Sequence, residues 1–167
     1  MGDPVKLYST VLMLMEEKYG ARHDKTLEAK RYFAQVYKRF RKQEEANELN
    51  EEIVKAKSEI FGAVHWKTME AKRELAQGMD NPKGLKLLVD LSKSAATYLG
   101  ATHYQTIDLR REYASKLARM QKRKDAVRVQ EELAERTREV LGEDHYISER
   151  EKVMLEWRER DRLYWQR

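Results

Sequence analysis

Residues 99–107 read LGATHYQTI, and this stretch has three related copies elsewhere in the chain. Each copy has a glycine followed three positions later by a histidine, and the chain's four histidines all occupy that position. The histidines lie 42, 38 and 42 residues apart. Self-similarity at such a period is the signature of a repeat protein. The four histidines are His23, His65, His103 and His145.

Further landmarks recur in step with the histidines. Eleven residues after each of the first three histidines stands an alanine: Ala34, Ala76 and Ala114. Sixteen residues before the glycine of each later copy stands a small residue: Ala46, Gly84 and Ala126. Between them, apolar residues are spaced three and four apart, which is the period of a helix. Each unit is therefore predicted to be two helices. Helix A starts near the threonine of the motif, and helix B ends at the next glycine.

The predicted helix ends have ordinary sequence signals. Glycine is favoured after a helix because it takes a positive φ at little steric cost. The shorter second unit turns through QGMDNPKG, where Asn81 can cap the helix and Pro82 can be its first residue. Asp3 and Pro4 repeat this pattern. We therefore expect one repeat domain over 1–167, with a helix B at 3–19, helix pairs at 23–62, 65–100 and 103–142, and a helix A at 145–167.

The composition narrows the class of protein. The 167 residues include two prolines and seven glycines, which favours helices over turn-rich β architectures. There is no cysteine, so disulfides and thiolate-bound zinc are excluded and a cytoplasmic, intracellular location is expected. No apolar run approaches the length of about 20 residues that spans a bilayer, so no membrane association is predicted. The net charge of +5 is compatible with an acidic partner.

The motif [LF]-G-x-x-H-x-x-T-[LMI], followed by the small residue and a helix B, resembles the kinesin-light-chain type of tetratricopeptide repeat (TPR). This variant also occurs in nephrocystin-like proteins and in NTPase-receptor repeat tails. The resemblance implies an all-α solenoid of helical hairpins in a right-handed superhelix, with about three full repeats and flanking helices. Two departures stand out. The family's usual proline after the histidine is replaced here, and the fourth unit has Ser148 and Glu156 where the others have threonine and alanine.

The resemblance also implies where a partner binds. Helices A would line a concave face, and the position eight residues after the histidine, where the family often has asparagine, would face the groove. That position holds arginine in the first three units, so the groove would present an arginine ladder suited to carboxylates. The predicted groove residues are Arg31, Arg73, Arg111, Gln35, Gln77, Ser115 and Lys38. The alternative is that the arginines pair with Glu28, Glu70 and Asp108 three residues earlier and only solubilise the face.

The four histidines do not form one metal site. One metal cannot use four histidines from four stacked units, because helices pack about 10 Å apart. The histidines are instead predicted to cap or pack the start of helix A. No catalytic, cofactor-binding or metal-ligating residue is predicted, and the protein is not expected to be an enzyme. Basic residues at the A–B turns could contact nucleic acid, but acidic residues follow them and no regular aromatic interleaving supports base stacking. They are Lys38, Arg39, Arg41, Lys42, Arg119, Lys122, Arg123 and Lys124.

The preferred function is a scaffold or adaptor that binds a protein or peptide, with an acidic peptide as the preferred partner and no cofactor. The alternative is a self-associating structural repeat, or a fragment of a larger repeat-tailed receptor. If the array ends with the first and last helices, some of their apolar surface has no repeat to cover it, and it marks self-association or a missing neighbour in a longer chain. The apolar residues are Tyr8, Leu12 and Met15, and Met154, Leu155, Trp157, Leu163, Tyr164 and Trp165.

Overall fold

The computed structural model describes the backbone of residues 4–164 and the side chains of residues 7–164. Eight α-helices and no strand occupy this part of the chain, which confirms the predicted all-α class. The helices are α1 (Pro4–Tyr19), α2 (Asp24–Arg39), α3 (Gln43–Phe61), α4 (Trp66–Gly78), α5 (Pro82–Leu99), α6 (Tyr104–Arg119), α7 (Arg123–Leu141) and α8 (Tyr146–Tyr164). In the predicted scheme, α2, α4, α6 and α8 are helices A, and α1, α3, α5 and α7 are helices B.

The chain forms two compact units, Met1–Met79 and Asp80–Arg167. In the first unit α1 packs on α2, α2 on α3 and α3 on α4. In the second unit α5 packs on α6, α6 on α7 and α7 on α8. The division falls between α4 and α5, inside the predicted helix pair at 65–100. The repeat boundaries and the assignment of one domain therefore stay predictions.

The helix ends follow the signals in the sequence. The glycines that end α3, α5 and α7 have φ angles of 90°, 101° and 89°, which confirms their predicted role as helix stops. Asn81 caps α5 by accepting a hydrogen bond from the backbone N–H of Gly84 at 3.1 Å, and Pro82 is the first helical residue, as predicted. Asp3, predicted to play the same part before α1, lies outside the described residues.

Each unit has its own apolar core, and alanines lie at helix contacts in both. In the first unit Leu27 of α2 packs with residues of α3 and α4: Ile53, Ala56 and Ala71. In the second unit one cluster joins α5, α6 and α7, and another joins α6, α7 and α8; they are Leu85, Ala114, Leu117, Ala126 and Val129, and Ile107, Leu133 and Ile147. Alanine at the contact points lets neighbouring helix backbones approach closely.

The apolar residues of α1 divide between two sides of the helix. Tyr8 packs edge-on against Phe33 of α2, with ring centroids 4.7 Å apart, so one predicted apolar face is covered within the unit. Leu7, Val11 and Leu14 form a second stripe at helical spacing and are exposed. At the other end of the chain Trp157, Leu163 and Tyr164 are exposed, and Trp165 lies outside the described residues.

Candidate protein-binding surface

Each histidine of the repeat caps a helix A. The Nδ1 atom of His103 accepts a hydrogen bond from the backbone N–H of Gln105 at 3.3 Å, and the other three histidines make the same bond at 3.2 Å. The bond satisfies a backbone donor that the first helical turn leaves without an intrahelical partner.

In three of the four units, the residue after the capping histidine is aromatic where the family usually has proline, and its ring contacts the imidazole. In the last three units the aromatic side chain at this position packs on the imidazole, with centroid distances of 5.8, 4.7 and 4.8 Å. The first two units add a stacked ring from the end of the preceding helix B, where Tyr19 lies 5.1 Å from His23 and Phe61 lies 4.9 Å from His65. The three aromatic residues are Trp66, Tyr104 and Tyr146.

The motif threonine ties helix A to the preceding helix B. Thr26 and Thr68 donate their hydroxyls to the carbonyls of Met15 and Lys57, at 3.3 and 3.0 Å. Thr106 donates to the carbonyl of Gly100 at 2.8 Å. All three threonines are fully buried. The threonine therefore holds the joint between helix A and the segment before it. The sequence pattern showed that the threonine recurs but could not show which carbonyl it binds.

The arginine ladder makes ion pairs between successive helices A. In the first unit the Nε atom of Arg31 on α2 lies 3.0 Å from Oε1 of Glu74 on α4. In the second unit Arg111 on α6 bonds Asp108 of its own helix, and its Nε lies 3.6 Å from Oε1 of Glu151 on α8. The predicted alternative, an ion pair with the acidic residue three positions earlier, thus occurs for Arg111. Arg31 and Arg111 each also form an ion pair with a glutamate on the next helix A.

The remaining predicted groove residues fall on the same helices. Gln35 is exposed and Lys38 is half-buried on α2, on the side that also bears Arg31. On α4, Arg73 is half-buried and Gln77 is exposed. On α6, the Ser115 hydroxyl accepts a hydrogen bond from Arg158 of α8 at 2.8 Å. The structure therefore groups the residues of α2 and α4 within the first unit, and those of α6 within the second.

In α8, apolar residues stand at two positions where the first three units have polar groove residues. These are the position of the ladder arginine and the position four residues after it. Val153 and Trp157 lie eight and twelve residues after His145, and their exposed fractions are 58% and 53%. A large aromatic side chain such as that of Trp157 buries much area when a partner covers it. The sequence analysis named Trp157 as a residue for self-association and did not name Val153.

A buried polar network joins α6, α7 and α8. Glu151 is fully buried and accepts a hydrogen bond from Nε2 of Gln130 on α7 at 2.9 Å. Arg158, also buried, donates to Oε1 of Gln130 at 3.4 Å and to Ser115. Burial lowers the pKa of the Arg158 guanidinium, while Asp161 and Glu151 act in the opposite direction. The first three units have alanine or leucine at the position of Glu151, so comparison of the units could have marked it.

Two buried lysines have opposite environments. Burial alone would lower the pKa of Lys30, but Glu16 and Glu52, at 2.8 and 2.7 Å, outweigh it and raise the pKa above the ordinary 10.5. For Lys116, burial lowers the pKa below 10.5, and Asp80 at 3.3 Å offsets only part of that effect. Neither lysine was identified from the sequence, because a lysine on a charged helix is normally exposed.

The basic A–B turns are partly neutralised by carboxylates. Arg123 at the start of α7 pairs with Asp161 at 3.3 Å, and Lys42 pairs with Glu45 at 3.5 Å. Among the described residues no group of three or more histidine, aspartate or glutamate side chains is arranged to hold a metal ion. None of the described helices combines the length and the apolar character needed to cross a membrane.

The architecture matches known repeat structures along almost the whole chain. Two crystal structures of a Podosopora anserina "putative kinesin light chain" with "nearly identical TPR-like repeats" superpose with TM-scores of 0.75 and 0.76. Each match covers 97% of this chain and 78% or 79% of the other, at 20% and 19% sequence identity. The fold is that of the kinesin-light-chain type of TPR. The resemblance inferred from the motif is thereby confirmed at the level of the fold.

Comparison of the amino-acid sequence with known families and proteins identifies no relative. Neither a protein-family model nor a curated protein sequence matches the chain. The TPR-like fold is typical of non-enzymatic scaffolds that bind other proteins, which fits the predicted class of function. The two similar structures bear on the fold alone, because their sequences are no more than 20% identical to this chain.

Proposed function

We propose that the protein is a non-enzymatic scaffold that binds an acidic segment of a partner protein along the faces of its helices A. The TPR-like fold supports the general class of function, since such repeats present extended surfaces to other proteins. The observation that carries the preference for an acidic partner is the arginine at the same repeat position in three units, at Arg31, Arg73 and Arg111. Arginine binds carboxylates through a planar fork of N–H groups.

Arg31 is more accessible to a ligand than Arg111. The Arg31 side chain is 43% exposed, and its ion pair with Glu74 is made through Nε. A guanidinium has five N–H donors, so this contact leaves donors for a second carboxylate. The Arg111 side chain is only 25% exposed and already faces both Asp108 and Glu151. We therefore expect Arg31 to contribute more to binding than Arg111.

The last helix A changes the chemistry of the surface. Val153 and Trp157 are exposed in the second unit, on the helix that follows the Arg111 rung. A partner with an apolar residue beyond its acidic residues would bury this pair, and burial of aromatic area contributes strongly to protein interfaces. Within the second unit, the proposed ligand therefore places an acidic residue at Arg111 and an apolar residue at Val153 and Trp157.

The experiment is a fluorescence-anisotropy titration with a short labelled peptide that has several glutamates followed by leucine. The triple variant Arg31→Ala, Arg73→Ala, Arg111→Ala is expected to weaken binding by at least about tenfold, because charge-assisted hydrogen bonds are lost. Arg31→Ala alone should weaken binding more than Arg111→Ala. Raising the salt concentration should weaken binding to the wild-type protein, since exposed charges are screened.

The matched control removes three arginines from exposed positions outside the ladder: Arg22, Arg128 and Arg136. It has the same net charge as the ladder variant, so a general electrostatic effect would weaken both equally. Equal weakening, or unchanged binding by the ladder variant, contradicts the proposal. A peptide with glutamine in place of glutamate should bind neither protein.

Self-association is the second candidate function, and the exposed stripe Leu7, Val11 and Leu14 on α1 favours it. In this case the occupant of the stripe is a second copy of the chain. Sedimentation velocity at increasing protein concentration would show a dimer for the wild-type protein and a monomer for Val11→Glu. A wild-type monomer at high concentration contradicts this candidate.

A further inference from the structure

A pocket of about 530 Å³ lies within the second unit, outside the arginine ladder. Its walls are the C-terminal half of α7, the turn that follows and the first half of α8. Two lysine or arginine side chains line it, Arg138 and Lys152, and Arg138 is 4.0 Å from one of the carboxylates. Five carboxylates outnumber these two cations: Glu131, Glu135, Glu143, Asp144 and Glu149. The pocket therefore has an excess of negative charge and favours a cationic ligand.

A buried hydroxyl in the pocket wall is the second, independent observation. Ser148 is 5% exposed, and its Oγ has no hydrogen-bond partner among the described residues. The threonine at this position in the other units donates to a carbonyl of the preceding helix or turn. A buried polar atom without a partner costs free energy, so its persistence suggests that a ligand completes its bonding. The lone pairs of Oγ can accept a hydrogen bond from a cationic N–H group.

The remaining wall residues define the kind of cation. Ala134 and Leu155 give the pocket an apolar part beneath the carboxylates. An arginine side chain matches both features, because its aliphatic stem packs on apolar surface while its planar head bonds carboxylates. A free metal ion or a small amine would leave the apolar part uncovered. The volume is larger than one side chain, so the pocket can also accept neighbouring residues of a polypeptide.

We propose that this acid pocket, formed by α7 and α8, binds an arginine-bearing segment of a partner protein. The carboxylates bind the guanidinium, Ser148 Oγ accepts one of its N–H groups, and Ala134 and Leu155 pack on the stem. The pocket residues Ser148, Lys152 and Leu155 lie on a different side of α8 from Val153 and Trp157, at about 100° per residue. The proposal is therefore independent of the acidic ligand proposed for the helix A surface.

The test uses the full chain labelled with ¹⁵N and a short fluorescein-labelled peptide in which arginines alternate with leucine and alanine. We expect amide shifts at residues that line the pocket, and saturable binding by anisotropy. The variant Glu131→Gln, Glu135→Gln, Glu149→Gln should bind about tenfold more weakly, since three ion pairs are lost. Ser148→Ala should also bind more weakly with no loss of thermal stability, because its hydroxyl makes no internal bond.

The matched control changes three exposed carboxylates in the first unit to glutamine: Glu17, Glu48 and Glu51. It alters the net charge by the same amount and should bind like the wild-type protein. Equal weakening of both triple variants, or amide shifts spread over the whole acidic surface, overturns the proposal. Displacement of the peptide by spermine at the peptide's own affinity also overturns it, because the site would then take free amines. Concentration-dependent shifts at the pocket without peptide would identify a second copy as the occupant and would equally overturn it.

Discussion

At the residue scale, the two buried lysines show how the surroundings of a single side chain decide its effect on stability. Lys30 is held by two carboxylates, whereas Lys116 is more deeply buried and lies 3.3 Å from Asp80. The charged form of Lys30 is stabilised by folding, and that of Lys116 is destabilised by it. The two residues should therefore respond to pH with opposite sign.

The pH prediction follows from linkage. A raised pKa means that the stabilisation by Lys30 is fully present below pH 10.5 and is lost as the pH rises through the higher folded value. A lowered pKa means that the unfolded chain binds more protons just below pH 10.5, so the contribution of Lys116 to stability rises with pH there. Urea unfolding of the wild-type protein, Lys30→Met and Lys116→Met across this range would measure both differences. Parallel pH curves for the two variants would contradict the assignment.

The capping histidines give a second prediction at the residue scale. His103→Ala removes the acceptor for the Gln105 N–H, and we expect it to lower the free energy of unfolding by about 1 kcal/mol. His103→Asn should retain most of that stability, because asparagine is itself a favoured cap. Thermal unfolding of both variants measures the difference. Equal losses in both would show that the ring contact with Tyr104, and not the cap, is what matters.

At the scale of elements, α8 differs from the other helices A in how it is held. Its buried contacts include the Glu151 and Arg158 network in addition to apolar packing. Glu156 is exposed where the first three units bury an alanine. The position at which the first three units bury a small apolar residue is therefore charged and exposed in α8.

The network predicts a large effect for Arg158. Arg158→Met leaves Gln130 and Glu151 buried with fewer partners, so we expect the free energy of unfolding to fall by about 3 kcal/mol. Arg160→Met is the matched control, because Arg160 lies two residues away on α8 and is exposed. The control should change the stability by no more than about 0.5 kcal/mol. Comparable urea midpoints for the two variants would mean that the network does not hold α8.

At the scale of the whole molecule, the division into two units with separate cores predicts that damage stays local. Leu133→Ala in the second unit should cost about 3 kcal/mol, because a buried leucine leaves a cavity. Hydrogen exchange should then accelerate at amides of α6 to α8, while α2 and α3 keep their protection. Ile53→Ala in the first unit should give the converse pattern. A uniform loss of protection in either variant would show that the two units unfold together.

Most of the fold could be predicted from the sequence because its signals are local and recur. The glycine stops, the Asn81 cap and the alanines at the helix contacts each depend on a few adjacent residues, and three or four copies make the pattern visible. The partners of the ladder arginines could not be predicted in the same way. Glu74 and Glu151 meet Arg31 and Arg111 from the next helix A, across about forty residues, and no spacing rule relates them.

The buried network and the acid pocket were missed for a related reason. Both arise where the fourth unit departs from the repeat, at Ser148, Glu151 and Arg158, and such departures look like noise when the repeat is the signal. Once the repeat is known, each departure marks a place where a distinct chemistry has been added. The sequence analysis marked Ser148 as a departure without giving it a function, and the same comparison at every repeat position would also have marked Glu151.

The joint between helices has one further consequence. The hydrogen bonds of the histidine at all four joints, and of the threonine at the first three, reach residues no more than eleven positions away. The hydrogen bonds of a joint are therefore local in sequence, and they do not depend on which units lie farther along the chain. A unit could be duplicated or exchanged by splicing at the glycine before the histidine, and arrays of chosen length and chosen surface chemistry could be assembled from the chain's own parts.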